Sequence, residues 1–248
     1  MFYLDRSEEL EKLGKNEHLP KHIGLILDGN RRWAREKGLD INLGHLEGYK
    51  TVTNILESFF KAGIRYLSIY ALSLENYQKR SKEELQYIYK VIMKAVARIK
   101  EEPIIKKEKI KFNVIGRVQL LPEDVQKKIM EVIEFTKDHQ NAFINLCLMY
   151  DGQAEIVDAV KGIVKDGISY EDIDKKMIKK YLYTKNFPEL DYIIRTGMKD
   201  GARISGFLIW DASYAEFKFR NEYWPDYDEK MLTEDLNEYL ERNRRKGK

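Results

Sequence analysis

The run His22-Ile23-Gly24-Leu25-Ile26-Leu27-Asp28-Gly29 decides the fold. It is apolar almost without interruption, too short for an ordinary helix, and stops on the turn-forming pair Asp-Gly. A short continuous apolar run reads as a strand buried on both faces, which places it inside a mainly parallel sheet. Its neighbours agree. The next stretch, RRWAREKG, suits a short helix closed by Gly38. Val52, Ile55, Leu56, Phe59 and Phe60 then recur at helical spacing, with Gly63 at the expected end. IRYLSIYAL (64–72) is a second apolar run and predicts a second buried strand.

The alternation continues along the chain. Ser81 and Glu84 form the S-x-x-E pattern of a capping box. The helix they open carries an inward stripe of Leu85, Ile88, Ile92, Ala95, Val96 and Ile99. KIKFNVIG (109–116) predicts a strand, PEDVQKKIMEVIEFTKDH a helix, and AFINLCLMYDG a further strand. Helices are expected at 153–165 and 171–183, strands at LDYIIRTG (190–197) and EFKFRN (216–221), and an amphipathic helix in the tail. Strands separated by helices imply right-handed crossovers. The predicted fold is therefore α/β, a mainly parallel central sheet of about six strands covered by helices. No repeat or linker divides the chain, so residues 1–248 read as a single domain.

Composition bounds the function. Of 248 residues, 43% are apolar and 34% charged, yet the formal net charge is only +3. Global charge therefore gives no reason to expect nucleic acid, and the basic run Arg242-Asn243-Arg244-Arg245-Lys246 reads as a helix end that suits the helix dipole. Cys147 is the only cysteine, which excludes an intramolecular disulfide and favours a reducing cytoplasm. The charged N-terminal stretch lacks the apolar core of a signal peptide. No apolar run approaches the roughly 20 residues of a membrane span.

In open α/β sheets, ligands bind beyond the carboxyl ends of the strands. After the first apolar run come Asp28, Gly29, Asn30, Arg31 and Arg32; after the second, Ser73, Glu75 and Asn76; after LDYII, Arg195, Thr196 and Gly197. Taken singly, each set is an ordinary turn or cap. Taken together, they collect a carboxylate, hydroxyl and amide groups and cations at one sheet edge. That is the inventory for holding a metal–diphosphate, with helix-start N–H groups adding to it. The apolar helices at 49–62 and 84–100 would by default pack the core. A cavity between them and the sheet would also suit a hydrocarbon chain and exclude water from a cationic reaction.

HIGLILDGNRRWA, LGHLEG, YALSLENY and IRTG…RISGFLIWDASYAEFKF…WPDYDE, in this order from about residue 20 to 245, resemble the motif set of the cis-prenyltransferases, the undecaprenyl diphosphate synthases among them. The resemblance implies an Mg²⁺-dependent enzyme that condenses isopentenyl diphosphate with an allylic prenyl diphosphate (farnesyl or geranylgeranyl), giving a long polyprenyl diphosphate. Carried over residue by residue, it makes Asp28 the metal-holding catalytic aspartate. Gly29, Asn30, Arg31, Arg32, Trp33 and His45 become the allylic-diphosphate set. Ser73, Leu74, Glu75, Asn76 and Tyr77 fall near the proton-removal site, with Asn76 as proton acceptor or its organiser. Arg195, Arg203, Ile204 and Ser205 match the isopentenyl-diphosphate set, and Glu216 a metal-associated glutamate. It further implies a homodimer with the C-terminal region at or near the interface, and peripheral membrane contact for product release.

Three departures from the family pattern stand out. Ile41 occupies a position that is Arg in many bacterial members. Either Lys79 or Arg80 fills an arginine role, and Lys cannot supply a bidentate fork. The stretch from Thr196 to Ala202 is about two residues longer than usual, with Met198 in place of a second Gly. The first two, at Ile41 and Lys79, favour an archaeal-type, geranylgeranyl-primed enzyme, and the third predicts a reshaped diphosphate loop. The competing phosphatase reading needs an acidic residue two positions after Asp28, where Asn30 stands. A non-catalytic partner subunit would lack the aspartate and the loop cations that are present.

Overall fold

Strands β1 (His22–Ile26), β2 (Tyr66–Ser73), β3 (Ile110–Ile115), β4 (Ala142–Tyr150), β5 (Tyr192–Arg195) and β6 (Glu216–Phe219) form one sheet in the order β3-β4-β2-β1-β5-β6. Every neighbouring pair is parallel. The structure is a computed structural model that describes residues 6–199 and 201–242. The helices are α1 (Arg6–Leu13), α2 (Asn30–Glu36), α3 (Ile41–Lys61), α4 (Leu74–Lys79), α5 (Lys82–Arg98), α6 (Pro103–Lys107), α7 (Glu123–Phe135), α8 (Gly152–Lys165), α9 (Lys175–Tyr181) and α10 (Glu229–Glu241).

The inner strands are apolar on both sides because both sides are covered. Ile23 and Leu25 of β1, Leu67 and Ile69 of β2, and Tyr192 and Ile194 of β5 face a large cluster with Ile55 and Phe59 of α3, Ile88 and Ile92 of α5, Ile129 of α7 and Leu236 of α10. The alternate residues Tyr70, Cys147 and Ile193 face a smaller cluster closed by Phe207 and Leu208. Moving outward from β1, the chain visits β2 and β4 on one side and β5 and β6 on the other. The winding therefore reverses at β1, and a crevice opens at its carboxyl end.

Two expectations need correction. The stretch 171–183 is not one helix: a 3₁₀ turn at 170–172 precedes α9, which starts afresh where Asp174 accepts a hydrogen bond from the Met177 N–H at 2.7 Å. The capping box at Ser81 is half made. Ser81 Oγ accepts from the Glu84 N–H, but the Glu84 carboxylate turns away toward His45, Arg31 and Arg80. The basic run beyond Arg242, and Asp200 in the 196–202 stretch, lie outside the described residues.

A row of buried polar groups crosses four strands. His22 Nδ1 donates to the Pro188 carbonyl at 2.9 Å, while Nε2 lies 2.7 Å from Ser68 Oγ. Ser68 Oγ accepts from Asn145 at 3.2 Å, and the Asn145 carbonyl oxygen accepts from Asn113 at 3.1 Å. With His22 neutral, every member has a partner. Burial pulls the His22 pKa from 6.5 down to about 4. The folded imidazole thus stays neutral where the unfolded one is already protonated. Stability is then fully present above pH 6.5 and is lost as pH falls from 6.5 toward 4, by up to about 3 kcal/mol. Urea midpoints across pH 4–7 should decline in that window for the native chain and flatten for His22→Gln; equal slopes for both would contradict the assignment.

Candidate active site

Asp28 follows β1 by two residues and is fixed mainly through its backbone. Its carbonyl accepts from Thr196 Oγ1 at 2.8 Å and from the Trp224 N–H at 3.0 Å. Its carboxylate receives Arg195 Nη2 on one oxygen at 2.8 Å and Arg32 Nη2 on the other at 3.0 Å. Gly29 then turns the chain into α2 at φ 107°, where a Cβ would lie 2.4 Å from the Tyr223 ring. Only glycine meets both demands. α3 packs against this turn through Gly44, whose Cβ would stand 2.2 Å from the Asn30 carbonyl oxygen. That approach brings His45 beside the α2 start.

His45, Arg31 and Arg80 share one anchor. Glu84 Oε1 lies 3.0 Å from His45 Nε2, 3.3 Å from Arg80 Nη1 and 3.7 Å from Arg31 Nε. Burial lowers the His45 pKa despite Glu84, so the ring is neutral near pH 7. Across the crevice, Arg195 is buried, and its Nη1 donates to the Arg203 carbonyl at 2.7 Å and to Ser205 Oγ at 2.9 Å. Arg195 thereby ties the 203–205 loop to Asp28. Ser205 holds φ 49°, a strained backbone for a residue with a side chain.

These groups line one cavity of about 620 Å³. Its mouth carries Asp28, Arg31, Arg32, Arg80, Arg195 and Arg203, with Ser73 at the end of β2 and Glu75 and Asn76 in the first turn of α4. Its depth is apolar: Val52 of α3, Ile69 of β2, Ile88, Val91, Ile92 and Ala95 of α5, and Leu146 of β4. Buried Nε groups of Arg31, Arg80 and Arg195 have no hydrogen-bond partner in the protein. Unpaired buried donors are costly unless a ligand completes them, and the surplus of arginines over the two lining carboxylates, Asp28 and Glu75, points to an anion.

Most of the site residues read from the sequence converge here: Asp28, Gly29, Asn30, Arg31, Arg32, His45, Ser73, Glu75, Asn76, Arg80, Arg195, Arg203 and Ser205 all line the cavity. Others stand aside. Trp33 donates its indole N–H to Asp226 at 2.7 Å, with Lys37 over its ring. Leu74 and Tyr77 pack on the main core and Ile204 on the second cluster. Lys79 is exposed and paired with Glu75 at 2.6 Å, so Arg80 is the cation that reaches the cleft. Met198 is buried, its N–H bonded to the Arg220 carbonyl.

Glu216 is the clearest correction. It begins β6, level with Tyr192 and hence with Ile23, five residues short of Asp28 along the strand direction. At about 3.3 Å per residue that is roughly 16 Å, and its carboxylate is taken by Arg242 at 3.2 Å. Within one chain, Glu216 and Asp28 do not share a metal. Arg35, which does line the cavity, was missed; its i, i+4 spacing from Arg31 was the available signal.

Among the described residues no group of three His, Cys, Asp or Glu could hold a metal. One hard carboxylate facing an anion pocket nevertheless suits magnesium, which is commonly bound by one or two carboxylates plus substrate phosphates.

A parallel sheet whose crevice is polar at the mouth and greasy in its depth defines a class of enzymes that act on amphipathic diphosphates. A model of the family described as "Putative undecaprenyl diphosphate synthase" matches residues 26–247. An isoprenyl transferase of Fusobacterium nucleatum is 40% identical over 93% of this chain and 97% of its own length. A tritrans,polycis-undecaprenyl-diphosphate synthase (geranylgeranyl-diphosphate specific) of Methanocaldococcus jannaschii is 41% identical over 96% and 86%. A crystal structure of lavandulyl diphosphate synthase from Lavandula x intermedia, in complex with dimethylallyl diphosphate, superposes with TM-score 0.86 at 29% identity, over 94% of this chain and all of that one. The chain belongs to the undecaprenyl diphosphate synthase family and is an enzyme of the cis-prenyltransferase type. Among the described residues no helix is long and apolar enough to cross a membrane.

Proposed function

We propose that the protein lengthens geranylgeranyl diphosphate with successive isopentenyl diphosphate units, and that one observation carries this reading: the cation-rich mouth and the apolar depth belong to the same cavity. The geranylgeranyl primer is supported by the named specificity of the archaeal relatives. The allylic diphosphate lies against Arg31, Arg32, Arg35 and Arg80 with its tail between α3 and α5. Isopentenyl diphosphate lies against Arg203 and Ser205, on the loop that Arg195 holds. Asp28 would hold Mg²⁺ together with substrate oxygens, and the metal would supply Lewis-acid stabilisation of the diphosphate.

The arginines stabilise charge that builds as the allylic C–O bond breaks, where preoriented donors contribute most. The isopentenyl double bond forms the new C–C bond, and one proton leaves its C2. Asn76 is a neutral amide and a poor base. Of the two carboxylates lining the cleft, Asp28 is held by arginines and Glu75 by Lys79. A diphosphate oxygen therefore takes the proton, with Asn76 positioning the reacting carbons. The apolar walls keep water from the allylic cation.

Incubation with labelled isopentenyl diphosphate and each of farnesyl and geranylgeranyl diphosphate, followed by sizing of the dephosphorylated products, tests this. Metal-dependent polyprenyl chains, best with geranylgeranyl diphosphate and abolished reversibly by EDTA, are expected; no incorporation with any primer would refute it. Arg80→Ala should lower kcat/KM about 10–100-fold, the value of a charge-assisted hydrogen bond, while Lys79→Ala changes it less than about twofold. The reverse ranking would exchange their roles.

We also infer a homodimer and a cytoplasmic location with peripheral membrane contact. α10 turns Leu232 and Leu236 inward, whereas α8 exposes Val157, Val160 and Val164 at helical spacing. An apolar stripe of this kind suits a partner, so Val160→Lys should shift sedimentation toward monomer.

A further inference from the structure

We propose that Tyr70 is a positioning residue for isopentenyl diphosphate: its hydroxyl and ring hold the 203–208 loop in the strained form that presents Arg203 and Ser205 to the cleft. The inference rests on the function proposed above. It starts from the backbone of that loop. Ser205 at φ 49°, Gly206 at 75° and Leu208 at 44° are all left-handed, and two of the three carry side chains that disfavour it. Such a backbone persists only where its surroundings over-determine it. Three sets of contacts do so here. Arg195 of β5 donates to the Arg203 carbonyl and to Ser205 Oγ. The Gly152 N–H at the start of α8 donates to the Gly206 carbonyl at 3.0 Å. The third set belongs to Tyr70 of β2.

Tyr70 is buried and lines the cavity. Its hydroxyl stands between two backbone carbonyls, that of Tyr150 at the end of β4, 3.2 Å away, and that of Ser205, 3.4 Å away. One proton shared between them fixes the loop against the sheet. The Tyr70 ring stacks on Phe207, with centroids 4.9 Å apart and planes 18° from parallel. Tyr70 thus grips the loop on both sides of Gly206, whose conformational freedom would otherwise let the segment hinge. The allylic side makes no such use of it: Glu84 holds Arg31 and Arg80, and Asp28 holds Arg32. Further along the same strand Ser73 caps α4, the helix that carries Asn76. The tether therefore also sets where the loop stands relative to Asn76. Without the hydroxyl the strained Ser205 peptide relaxes, and its side chain turns away from Arg195.

Tyr70→Phe keeps the ring and its stack and removes only the hydroxyl, so it isolates the tether. Calorimetry on the full chain with magnesium measures two affinities: that of an unreactive thio-analogue of geranylgeranyl diphosphate, and that of isopentenyl diphosphate titrated into the resulting complex. In Tyr70→Phe the affinity for isopentenyl diphosphate should fall about tenfold, as for a lost hydrogen bond whose buried acceptor is left unmet, while that for the analogue stays within about twofold. Steady-state kinetics should show the same split, with KM raised for isopentenyl diphosphate and unchanged for geranylgeranyl diphosphate. Tyr183→Phe is the control. Tyr183 packs on the same apolar cluster, but its hydroxyl bonds Asp158 rather than the loop, so this variant should bind both ligands as the native chain does. An unchanged affinity for isopentenyl diphosphate in Tyr70→Phe would overturn the proposal. So would parallel losses for both ligands, or an equal loss in Tyr183→Phe, since either marks a general loosening. Should Tyr70→Phe fail to fold, Phe207→Leu, which removes the stack and keeps the hydroxyl, decides by the same selectivity. Failure of the native complex to bind isopentenyl diphosphate at all would instead remove the proposed function, and this inference with it.

Discussion

Asp28→Asn is expected to lower turnover by at least about 10³-fold, the upper range for loss of one preorganised electrostatic group, while leaving the fold intact. The carboxylate is about a third exposed and sits between Arg195 and Arg32. Its partners are anchored elsewhere: Arg195 to the Arg203 carbonyl and Ser205, and the Asp28 backbone to Thr196 and Trp224. Removing its charge leaves the arginines in place and makes the mouth more positive. Metal-free binding of the allylic diphosphate should therefore persist or tighten, whereas turnover is lost with the oxygen that holds the metal. Equal loss of binding and turnover would show that Asp28 shapes the pocket instead. Turnover within tenfold of the native chain would remove it from the chemistry.

The largest stability effect is expected far from the cleft. Asp235 of α10 is fully buried, receives Arg220 Nε at 2.9 Å and Nη2 at 2.8 Å, and accepts Tyr227 Oη at 2.8 Å. Arg220 follows β6, so this pair fastens the last helix to the sheet edge and to the turn carrying Tyr223 and Trp224, which touch Gly29 and Asp28. Asp235→Ala leaves a buried guanidinium with Glu234 at 3.0 Å and Glu222 at 3.8 Å as its remaining carboxylates. Breaking a buried pair on one side costs about 3–5 kcal/mol, and the surviving Glu234 contact places this case near 3. The melting temperature should fall by roughly 6–12 °C. The double variant Arg220→Met/Asp235→Leu should recover much of it, because the unpaired charge is gone. A single-variant cost below about 1 kcal/mol would show that Arg220 reaches solvent on its own.

Local pattern carried the fold well. Strands buried on both faces cannot hide their composition, and HIGLILDG and IRYLSIYAL match β1 and β2 to within three residues at each end. The cleft was legible for a related reason: three strand ends on the same side of a parallel sheet must converge, and Asp28, Ser73 and Arg195 do. Contacts set by packing were hidden. Glu84 looked like half of a capping box, yet its carboxylate organises His45 and Arg80 because α3 crosses α5 closely at that point. Glu216 sits in a well-matched motif, but a motif does not state at which end of its strand a residue lies. Its register with Tyr192 does. Arg195 read as a ligand for diphosphate and proves also to be the tie between Asp28 and the 203–205 loop, a role that requires residues 8 and 167 positions away in sequence.

The most direct test is a crystal structure of the protein with magnesium, isopentenyl diphosphate and an unreactive thio-analogue of geranylgeranyl diphosphate. Both diphosphates should lie in the one crevice beyond β1, within hydrogen-bond distance of the arginines on its two sides, with the prenyl tail running between α3 and α5. Diphosphates bound on separate surfaces, or a tail lying outside the space between those helices, would contradict the account.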